Sequence, residues 1–226
     1  KFLKNRLGID FTYFDREDSN LPVAITAAGG TGYTGLNVNS KITSTAGVEA
    51  MLSGTPIVTD DLRWDVSVNF GRFKKTVDFI YEGIERNILD SWLSWSSMDL
   101  QEIVGQEWGM LYGRKRLKDA AGNWVLYNSG NHRYENNQLL GNIMPDFTGG
   151  ITSNLVYKNW DFSVGIDFQE GGLYHSVTDM FSMAAGLHEW TAGLNDKGNP
   201  KRDAVSAGGG IHMVGVKLDG SVHDLY

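Results

Sequence analysis

The alternation of apolar and polar side chains along residues 62–70 constrains the fold more than any other feature of the sequence. Leu62, Trp64, Val66, Val68 and Phe70 take every second position, and the positions between them hold Arg63, Asp65, Ser67 and Asn69. Successive side chains of a strand point to opposite faces of a sheet. The segment therefore predicts a strand with one apolar face and one polar face.

The same alternation recurs near both ends of the chain. Its apolar members there are Leu7, Ile9, Phe11 and Tyr13, and then Trp160, Phe162, Val164, Ile166 and Phe168. Each run has about the length of a tilted strand that crosses a bilayer, roughly 9 to 11 residues. The apolar faces of these strands are thus expected to meet either one another or lipid.

The spacing of the candidate strands favours an up-and-down membrane barrel. Strand-like runs lie at about 6–14, 47–54, 62–70, 149–157 and 160–168. Short links at 55–61 and 158–159 alternate with long segments at 15–46, 71–148 and 169–226. Membrane barrels have short turns at one rim and long loops at the other. We therefore predict an all-β fold, an antiparallel up-and-down transmembrane β-barrel present as a partial set of strands with long extracellular loops.

Aromatic residues lie near both ends of these strands. Trp64, Tyr157 and Trp160 are close to the short links, and Phe14, Phe70 and Phe168 are at the opposite strand ends. Two aromatic bands are typical of a barrel that spans a bilayer. Strands favour aromatic residues in general, however, and soluble sheets with one solvated face alternate in the same way. A soluble β-sandwich or barrel therefore stays open on the pattern alone.

Composition excludes some functions. The formal net charge of -7 argues against a nucleic-acid surface, which needs a basic patch. The chain has no cysteine, so disulfides and thiolate chemistry are excluded. No window approaches the roughly 18 consecutive apolar residues of a membrane helix. The first five residues lack the apolar segment of a signal peptide, and we interpret the chain as a piece of a longer protein.

The candidate catalytic and metal motifs are weak. Residues 30–35 spell Gly-Thr-Gly-Tyr-Thr-Gly, but no helix start follows, so a glycine-rich loop is favoured over a dinucleotide site. The histidines lack the spacing of a zinc site and are interpreted as scattered loop residues. They are His132, His175, His188, His212 and His223. We predict no catalytic residue, no metal site, no cofactor and no enzymatic activity.

The long segment 71–148 contains several tryptophans that are candidates for ligand binding. Trp92, Trp95 and Trp108 carry large amphipathic rings that could stack on a ligand, as could Trp124. The alternative is a small hydrophobic cluster that keeps a long loop ordered. In addition, the sequence predicts a short helix within 97–104 and hairpin turns at 119–123 and 219–220.

Residues 140–151 carry a motif that resembles a known family. They read Leu-Gly-Asn-Ile-Met-Pro-Asp-Phe-Thr-Gly-Gly-Ile, which is very similar to a signature of the SusC/RagA family of TonB-dependent outer-membrane transporters. Further matches follow in family order at Gly47-Val48-Glu49, Trp64-Asp65, Gly105 through Gly113, and Gly171-Gly172 with Tyr174. Departures lie at strand ends and loops: Glu107 stands where the family usually has Pro, and Phe73 and Lys75 replace Asn.

The resemblance implies a barrel of about 22 strands with a plug in its lumen. Residues 1–226 would form a C-terminal fragment of its wall, without plug and closing strands. The implied function is import of glycans or oligopeptides across the bacterial outer membrane. The implied partners are a SusD-type surface lipoprotein, TonB acting through the missing N-terminal part, the ligand and outer-membrane lipid, but no nucleic acid. The competing hypothesis is a soluble β-rich glycan-binding module with a stacking platform at Trp92 and Trp95.

Overall fold

The structure, a computed structural model, describes residues 2–3, 6–27, 29–90 and 97–226. Its strands are β1 (Leu7–Thr26), β2 (Gly35–Val58), β3 (Leu62–Phe79), β4 (Arg86–Asp90), β5 (Asp99–Ile103), β6 (Met110–Arg116), β7 (Tyr134–Asn142), β8 (Pro145–Tyr157), β9 (Trp160–Gly171), β10 (Met213–Val216) and β11 (Val222–Leu225). The described part of the chain has one α-helix, α1 (Val177–Ala184), and no helix in it is long and apolar enough to cross a membrane. The all-β prediction is confirmed.

The largest sheet is a five-stranded antiparallel meander in the order β1-β2-β3-β8-β9. Its strands contain all five runs that the sequence pattern predicted, in up-and-down order. The other sheets have the orders β4-β5-β6-β7 and β10-β11. The long segment between β3 and β8 is therefore an insertion in an otherwise sequential meander.

Three strands of the meander are much longer than predicted. β1 has 20 residues, β2 has 24 and β3 has 18. The pairing of β1 with β2 continues to Thr26 and Gly35, through residues that the sequence analysis placed in a long loop. Residues 15–20 of β1 are all polar, but apolar pairs return at the far end of the hairpin, where Val23 lies opposite Val38 and Ile25 opposite Leu36. The hairpin thus extends well past the pair of Tyr13 and Val48.

The prediction of a helix within 97–104 is wrong, because Asp99–Ile103 forms β5. Its backbone pairs with β4, with Arg86 opposite Ile103 and Asn87 opposite Glu102. Strand pairing therefore overrides the weak local preference of this segment. The glycine-rich run at 30–35 leads into β2 rather than into a helix, as expected from its sequence.

The chain divides into two compact units. Of the described residues, the first unit contains those within 1–94, 99–111 and 141–173, and the second contains those within 95–98, 112–140 and 174–226. β6 and β7 have residues in both units. The core of the first unit is formed by Val23, Val77 and Ile80. The side chains packed around it belong to Ile25, Val38, Ile84, Val104 and Trp108. This core lies among the extended ends of the strands, outside the alternating segments.

The second unit has a small core of its own at Val125, Leu126 and His223. Val125 forms a parallel bridge to Val216, and the Leu126 N–H donates to the Val216 carbonyl at 2.8 Å, so residues 124–126 extend the hairpin of β10 and β11. The hairpin turn predicted at 219–220 connects β10 to β11 and is confirmed. The turn at 119–123 is confirmed by the bond from the Asp119 N–H to the Asn123 carbonyl.

Candidate functional site

The register of the meander brings the alternating apolar side chains together on one face. Residues paired across neighbouring strands share a face. Val68 is paired with Leu52 on one side and with Ile151 on the other, and the row continues outward to Ile9 and Ile166. The next row consists of Phe11, Ala50, Phe70, Gly149 and Phe168. The sequence-predicted faces therefore merge into one continuous surface, which we call the apolar face.

The apolar face is exposed over much of its area. Ile9 is 60% exposed, Phe162 54% and Ile166 54%. Among the described residues, no apolar side chain of this face is buried. Single exposed apolar side chains are ordinary, but a contiguous patch that covers five strands marks contact with a partner or with lipid.

Aromatic rings border the apolar face at both ends. At the short-turn end Tyr157 pairs with Trp160, whose ring stacks on Phe162 with centroids 6.2 Å apart. At the other end the ring of Phe147 lies 5.6 Å from that of Phe70 and 6.5 Å from that of Phe168. Residues 160 and 168 are about 27 Å apart along a strand. That length, once tilted, is comparable to the apolar band of about 25 Å on a membrane barrel.

Phe14 does not lie on the apolar face with the other aromatic residues that the sequence grouped at this end of the strands. Phe14 is paired with Gly47, and its ring occupies the space where a Cβ on that glycine would lie, 2.5 Å from Cζ. The register therefore places Phe14 on the polar face. Tyr13, one residue earlier, is the aromatic side chain that β1 contributes to this end of the apolar face.

A hydrogen-bonded pair lies within the apolar face. The indole N–H of Trp64 donates to the Ser153 hydroxyl at 2.9 Å. In a hydrocarbon environment each polar group needs a protein partner. Ser153 interrupts the apolar pattern of β8, and its bond to Trp64 accounts for that interruption.

The two glycines of the family-like motif make room for side chains on opposite faces of β8. A Cβ on Gly149 would lie 2.6 Å from the Phe168 ring on the apolar face. A Cβ on Gly150 would lie 2.8 Å from an Asp167 carboxylate oxygen and 2.9 Å from the Asn69 amide nitrogen on the polar face. Both substitutions would displace neighbouring atoms, so the motif has a steric explanation.

The opposite side of the meander, the polar face, is held by charge-assisted hydrogen bonds. Arg63 donates from Nε and Nη2 to both carboxylate oxygens of Asp65, at 2.7 and 2.9 Å. The Thr55 hydroxyl donates to the same carboxylate at 2.6 Å. These residues adjoin a polar groove of about 270 Å³ whose lining includes Arg6, Ser67 and Asn154. The face is thus suited to water or to a polar partner.

Glu102 is a fully buried carboxylate in the first unit. It accepts hydrogen bonds from Lys41 Nζ at 2.8 Å and from the Trp108 indole N–H at 3.0 Å. A buried charge is tolerated only when it is paired and hydrogen-bonded. The cluster connects β5 to the extended part of β2. The ring of Trp108 packs on the core, with Lys75 Nζ 5.7 Å from its centroid. This contact agrees with the loop-ordering alternative, and ligand binding by Trp108 stays a prediction.

Glu107, which departs from the family motif, takes part in an ion pair. Its carboxylate lies 2.6 Å from Lys74 Nζ. The Asn142 amide donates to the Trp108 carbonyl at 3.0 Å and, more weakly, to Glu107 at 3.4 Å. Asn142 of the motif therefore fixes the segment around Trp108. Trp92 and Trp95, the other two candidate ligand-binding residues, lie outside the described residues.

Trp124 of the second unit is surrounded by cationic and imidazole groups. Lys118 Nζ lies 4.2 Å and the Arg116 guanidinium 5.9 Å from its ring centroid. His132 makes an edge contact at 5.4 Å. Burial, with a smaller contribution from the charge of Arg116, lowers the pKa of His132 below its ordinary value.

His212 lies in a polar cluster of the second unit that the sequence analysis missed. Its Nδ1 is 2.7 Å from an Asp196 carboxylate oxygen, and its Nε2 contacts Asp224. Its ring stacks on Tyr226 with centroids 4.7 Å apart, and Lys197 Nζ lies 3.7 Å from the same tyrosine ring. The hydrogen bond to Asp224 and the charge of Asp196 raise the pKa of His212. Across residues 2–3, 6–27, 29–90 and 97–226, no group of three or more His, Asp and Glu side chains is placed to hold a metal ion.

Comparison with solved structures identifies similar folds among peptide transporters. No family model and no curated protein matches the chain. A structure of the RagAB peptide transporter is 14% identical with a TM-score of 0.55, covering 73% of this chain and 19% of that chain. The RagAB peptide importer in its 'open-open' state gives 13% identity and a TM-score of 0.56, covering 74% of this chain and 19% of that chain. The 'closed-closed' state gives 16% identity, a TM-score of 0.54 and the same coverage.

These similarities concern the fold alone, because the sequence identities are low. The chain spans 19% of the length of the RagAB chains that it matches. The family-like motif and the fold comparison nevertheless agree, since the solved structures with a similar fold are RagAB transporters. The resemblance stated from the sequence is thereby supported at the level of the fold.

Proposed function

We propose that this chain forms part of the wall of a TonB-dependent outer-membrane transporter of the SusC/RagA type. The apolar face would contact lipid, and the polar face would line the lumen. The observation that carries the proposal is the exposed apolar face itself, which covers five neighbouring strands and is bordered by aromatic rings at both ends. Membrane barrels present this combination toward lipid.

The orientation follows from the lengths of the connections. Residues 59–61 join β2 to β3, and residues 158–159 join β8 to β9. The long segments after β3 and after β9 leave from the opposite strand ends. Because the long loops of such barrels face outward, we assign these segments to the cell surface, where they would contact the ligand.

The partners follow from the same proposal. A SusD-type surface lipoprotein would cooperate in ligand capture, and TonB would act through a part of the transporter that this chain does not contain. The solved structures with a similar fold are peptide transporters, which favours oligopeptides over glycans as the ligand. We assign no covalent chemistry, no cofactor and no nucleic-acid binding to the chain.

A soluble glycan-binding module is the competing hypothesis, and it needs a second layer over the apolar face. Exposed side chains such as Phe11 and Val164 count against such a layer, since they are 67% and 55% exposed. An exposed face of this size would make a soluble protein aggregate. A monodisperse, detergent-free protein with cooperative unfolding would favour the module.

Cysteine labelling of two adjacent positions on β3 tests the proposal. The chain has no cysteine, so Val68→Cys and Ser67→Cys each introduce one thiol on opposite faces of the same strand. In the full-length protein in outer-membrane preparations, we expect Val68→Cys to react with a lipid-soluble maleimide and to resist a charged one. Ser67→Cys is the matched control and should react with the charged reagent at least about tenfold faster.

Two results would contradict the assignment. Equal reaction of both thiols with the charged maleimide would mean that β3 does not border lipid. A faster reaction of the charged reagent at Val68→Cys than at Ser67→Cys would mean that the lumen and lipid faces are reversed.

A further inference from the structure

A polar groove in the second unit has the chemistry of a binding site for an anion. It has a volume of about 460 Å³ and lies between residues 126–133 and the turn of the β10–β11 hairpin. Its lining includes Leu126, Tyr127, Arg133, Lys217, Leu218 and Asp219. All of them are outside the apolar and polar faces of the meander.

Backbone hydrogen bonds hold both sides of this groove in place. The Tyr127 N–H donates to the Asn131 carbonyl at 2.8 Å, and the Gly130 N–H donates to the Tyr127 carbonyl at 3.0 Å. On the hairpin, the Lys217 N–H donates to the Ser221 carbonyl at 2.8 Å. Leu126 is 1% exposed and anchors the segment in the core. The groove is therefore largely formed before any ligand binds, which lowers the cost of binding.

Arg133 is positioned in the groove without an acidic partner. Its guanidinium carbon lies 4.1 Å from the centroid of the Tyr127 ring. Its Nε is buried and has no hydrogen-bond partner in the described part of the chain. A buried donor without a partner costs free energy, so the described residues leave the hydrogen-bonding capacity of Arg133 incompletely satisfied. Stacking on Tyr127 also limits the rotamers of Arg133, so a second contact would cost little additional ordering.

Lys217 adds a second positive charge. Among the described residues, neither Arg133 nor Lys217 has a carboxylate within 4.0 Å. Asp219, the one acidic residue of the lining, accepts hydrogen bonds from the Ser221 hydroxyl at 2.7 Å and from its N–H at 2.9 Å, which hold the pKa of Asp219 below its usual value. It offsets part of the Lys217 charge, and Arg133 is left without compensation.

We propose that this groove binds a carboxylate of an acidic oligopeptide, with Arg133 and Lys217 as its cationic contacts. The guanidinium fork matches the geometry of a carboxylate. Tyr127 and Leu218, 45% and 66% exposed, would contact the apolar parts of the same peptide. The role of the groove in uptake rests on the proposed function, whereas carboxylate binding does not. A uronic acid glycan carries the same group, and the experiment separates the two sources.

Calorimetric titration of the full-length protein tests the groove. The probes are an acetylated hexapeptide amide with two Glu residues, the same peptide with Gln at both positions, and trigalacturonate. We expect the Glu peptide to bind at least about tenfold more tightly than the Gln peptide, the factor that corresponds to one charge-assisted contact. Arg133→Gln should abolish this preference, and high salt should weaken it.

Two further variants make the result interpretable. Arg114→Gln is the matched control, because Arg114 is exposed, bonds to Asn136 and lies outside the groove, so it should keep the full preference. Lys217→Gln, on a hairpin turn, should reduce the preference even if Arg133→Gln fails to fold. Equal binding of the Glu and Gln peptides, or an unchanged preference in the folded Arg133 and Lys217 variants, would overturn the proposal.

Tighter binding of trigalacturonate than of the Glu peptide would overturn the peptide assignment. The maleimide experiment on β3 has an independent readout. Its failure would overturn the proposed transporter wall without affecting the proposed groove site. Unselective peptide binding would overturn the groove site without affecting the proposed wall.

Discussion

The five-stranded meander and the second unit owe their structures to different kinds of sequence information. In the meander, residues two apart share a face, and the alternation around Val66 and Val68 already specifies which side chains lie on the apolar face. In the second unit, a small core and a polar cluster join residues that are far apart in sequence, as His212 and Asp196 are. A periodic pattern thus predicts which face of a sheet is apolar. The second unit depends on contacts between residues that no periodic pattern relates to one another.

The first unit itself contains both kinds of structure. Its apolar face is exposed over much of its area, but the extended ends of its strands pack around Val77 and Ile80, next to the buried Glu102. The comparison is therefore between a region with exposed apolar side chains and regions stabilised by internal packing. Substitutions in each region should respond differently to membrane, solvent and pH.

The largest effect is expected at the buried ion pair of the first unit. Lys41→Met leaves the carboxylate of Glu102 buried without its cation, and we expect a loss of about 3–5 kcal/mol of stability. Urea unfolding of the full-length protein in detergent, followed by tryptophan fluorescence, would measure it. The double variant Lys41→Met/Glu102→Gln should recover most of the loss, because Gln still accepts from the Trp108 N–H.

The control for this experiment is the exposed ion pair nearby. Lys74→Met removes a cation whose side chain is 63% exposed, and its effect should stay within about 1 kcal/mol. If both single variants had equally small effects, the extended strand ends would not depend on internal packing, and the contrast with the apolar face would disappear.

A smaller effect is expected within the apolar face. Ser153→Ala leaves the Trp64 indole N–H without its acceptor, which costs about 1–3 kcal/mol where no water can replace it. We expect this loss for protein folded into lipid vesicles, measured by denaturant titration. Ser163→Ala is the matched control, since Ser163 donates to Asn154 on the polar face and water can substitute for it. Equal effects of the two variants would argue that both faces are hydrated.

The smallest effect concerns pH and the second unit. The pKa of His212 is raised in the folded state by Asp224 and Asp196. The protonated form therefore stabilises the cluster fully below the unfolded pKa of about 6.5, and this contribution is lost as pH rises through the higher folded value. As pH rises through that value, amide hydrogen exchange of residues 211–226 should accelerate by more than the intrinsic increase of exchange rate with pH.

In His212→Gln this additional acceleration should be absent. His188→Gln should retain it, because the His188 ring accepts a hydrogen bond from the Trp190 N–H and takes no part in the cluster of His212. The exchange protection of residues 211–226 could instead depend on pH in the same way in the unsubstituted protein and in both variants. That result would mean that His212 does not stabilise this part of the second unit.

The sequence predicted the meander well because its information is local. Alternation at residues 62–70 and 160–168 determined both the strands and their faces, and the register confirmed that assignment. The extension of the β1–β2 hairpin was not predicted, since the polar residues 15–20 separate the alternating run of β1 from the apolar pairs Val23–Val38 and Ile25–Leu36. The strand at Asp99–Ile103 was mistaken for a helix because only its pairing with β4 fixes it.

The candidate sites were less predictable for the same physical reason. The motif at residues 140–151 predicted the fold, but it gives no information about the ion pair of Glu102 with Lys41, which is 61 residues away in the sequence. The groove likewise joins Arg133 to Lys217, which no sequence window contains together. Trp108 was found by its residue type, and its packing could be seen only once the strands were in place.

The paired glycines of β8 have a mechanical consequence. At Gly149 and Gly150 the sheet carries no side chain of its own on either surface, and it is thickened only by Phe168, Asn69 and Asp167 from adjacent strands. Glycines of this kind let a sheet curve sharply. A sheet that closes into a barrel needs such points of curvature, and in the proposed transporter this one would lie next to the aromatic side chains at one end of the apolar face.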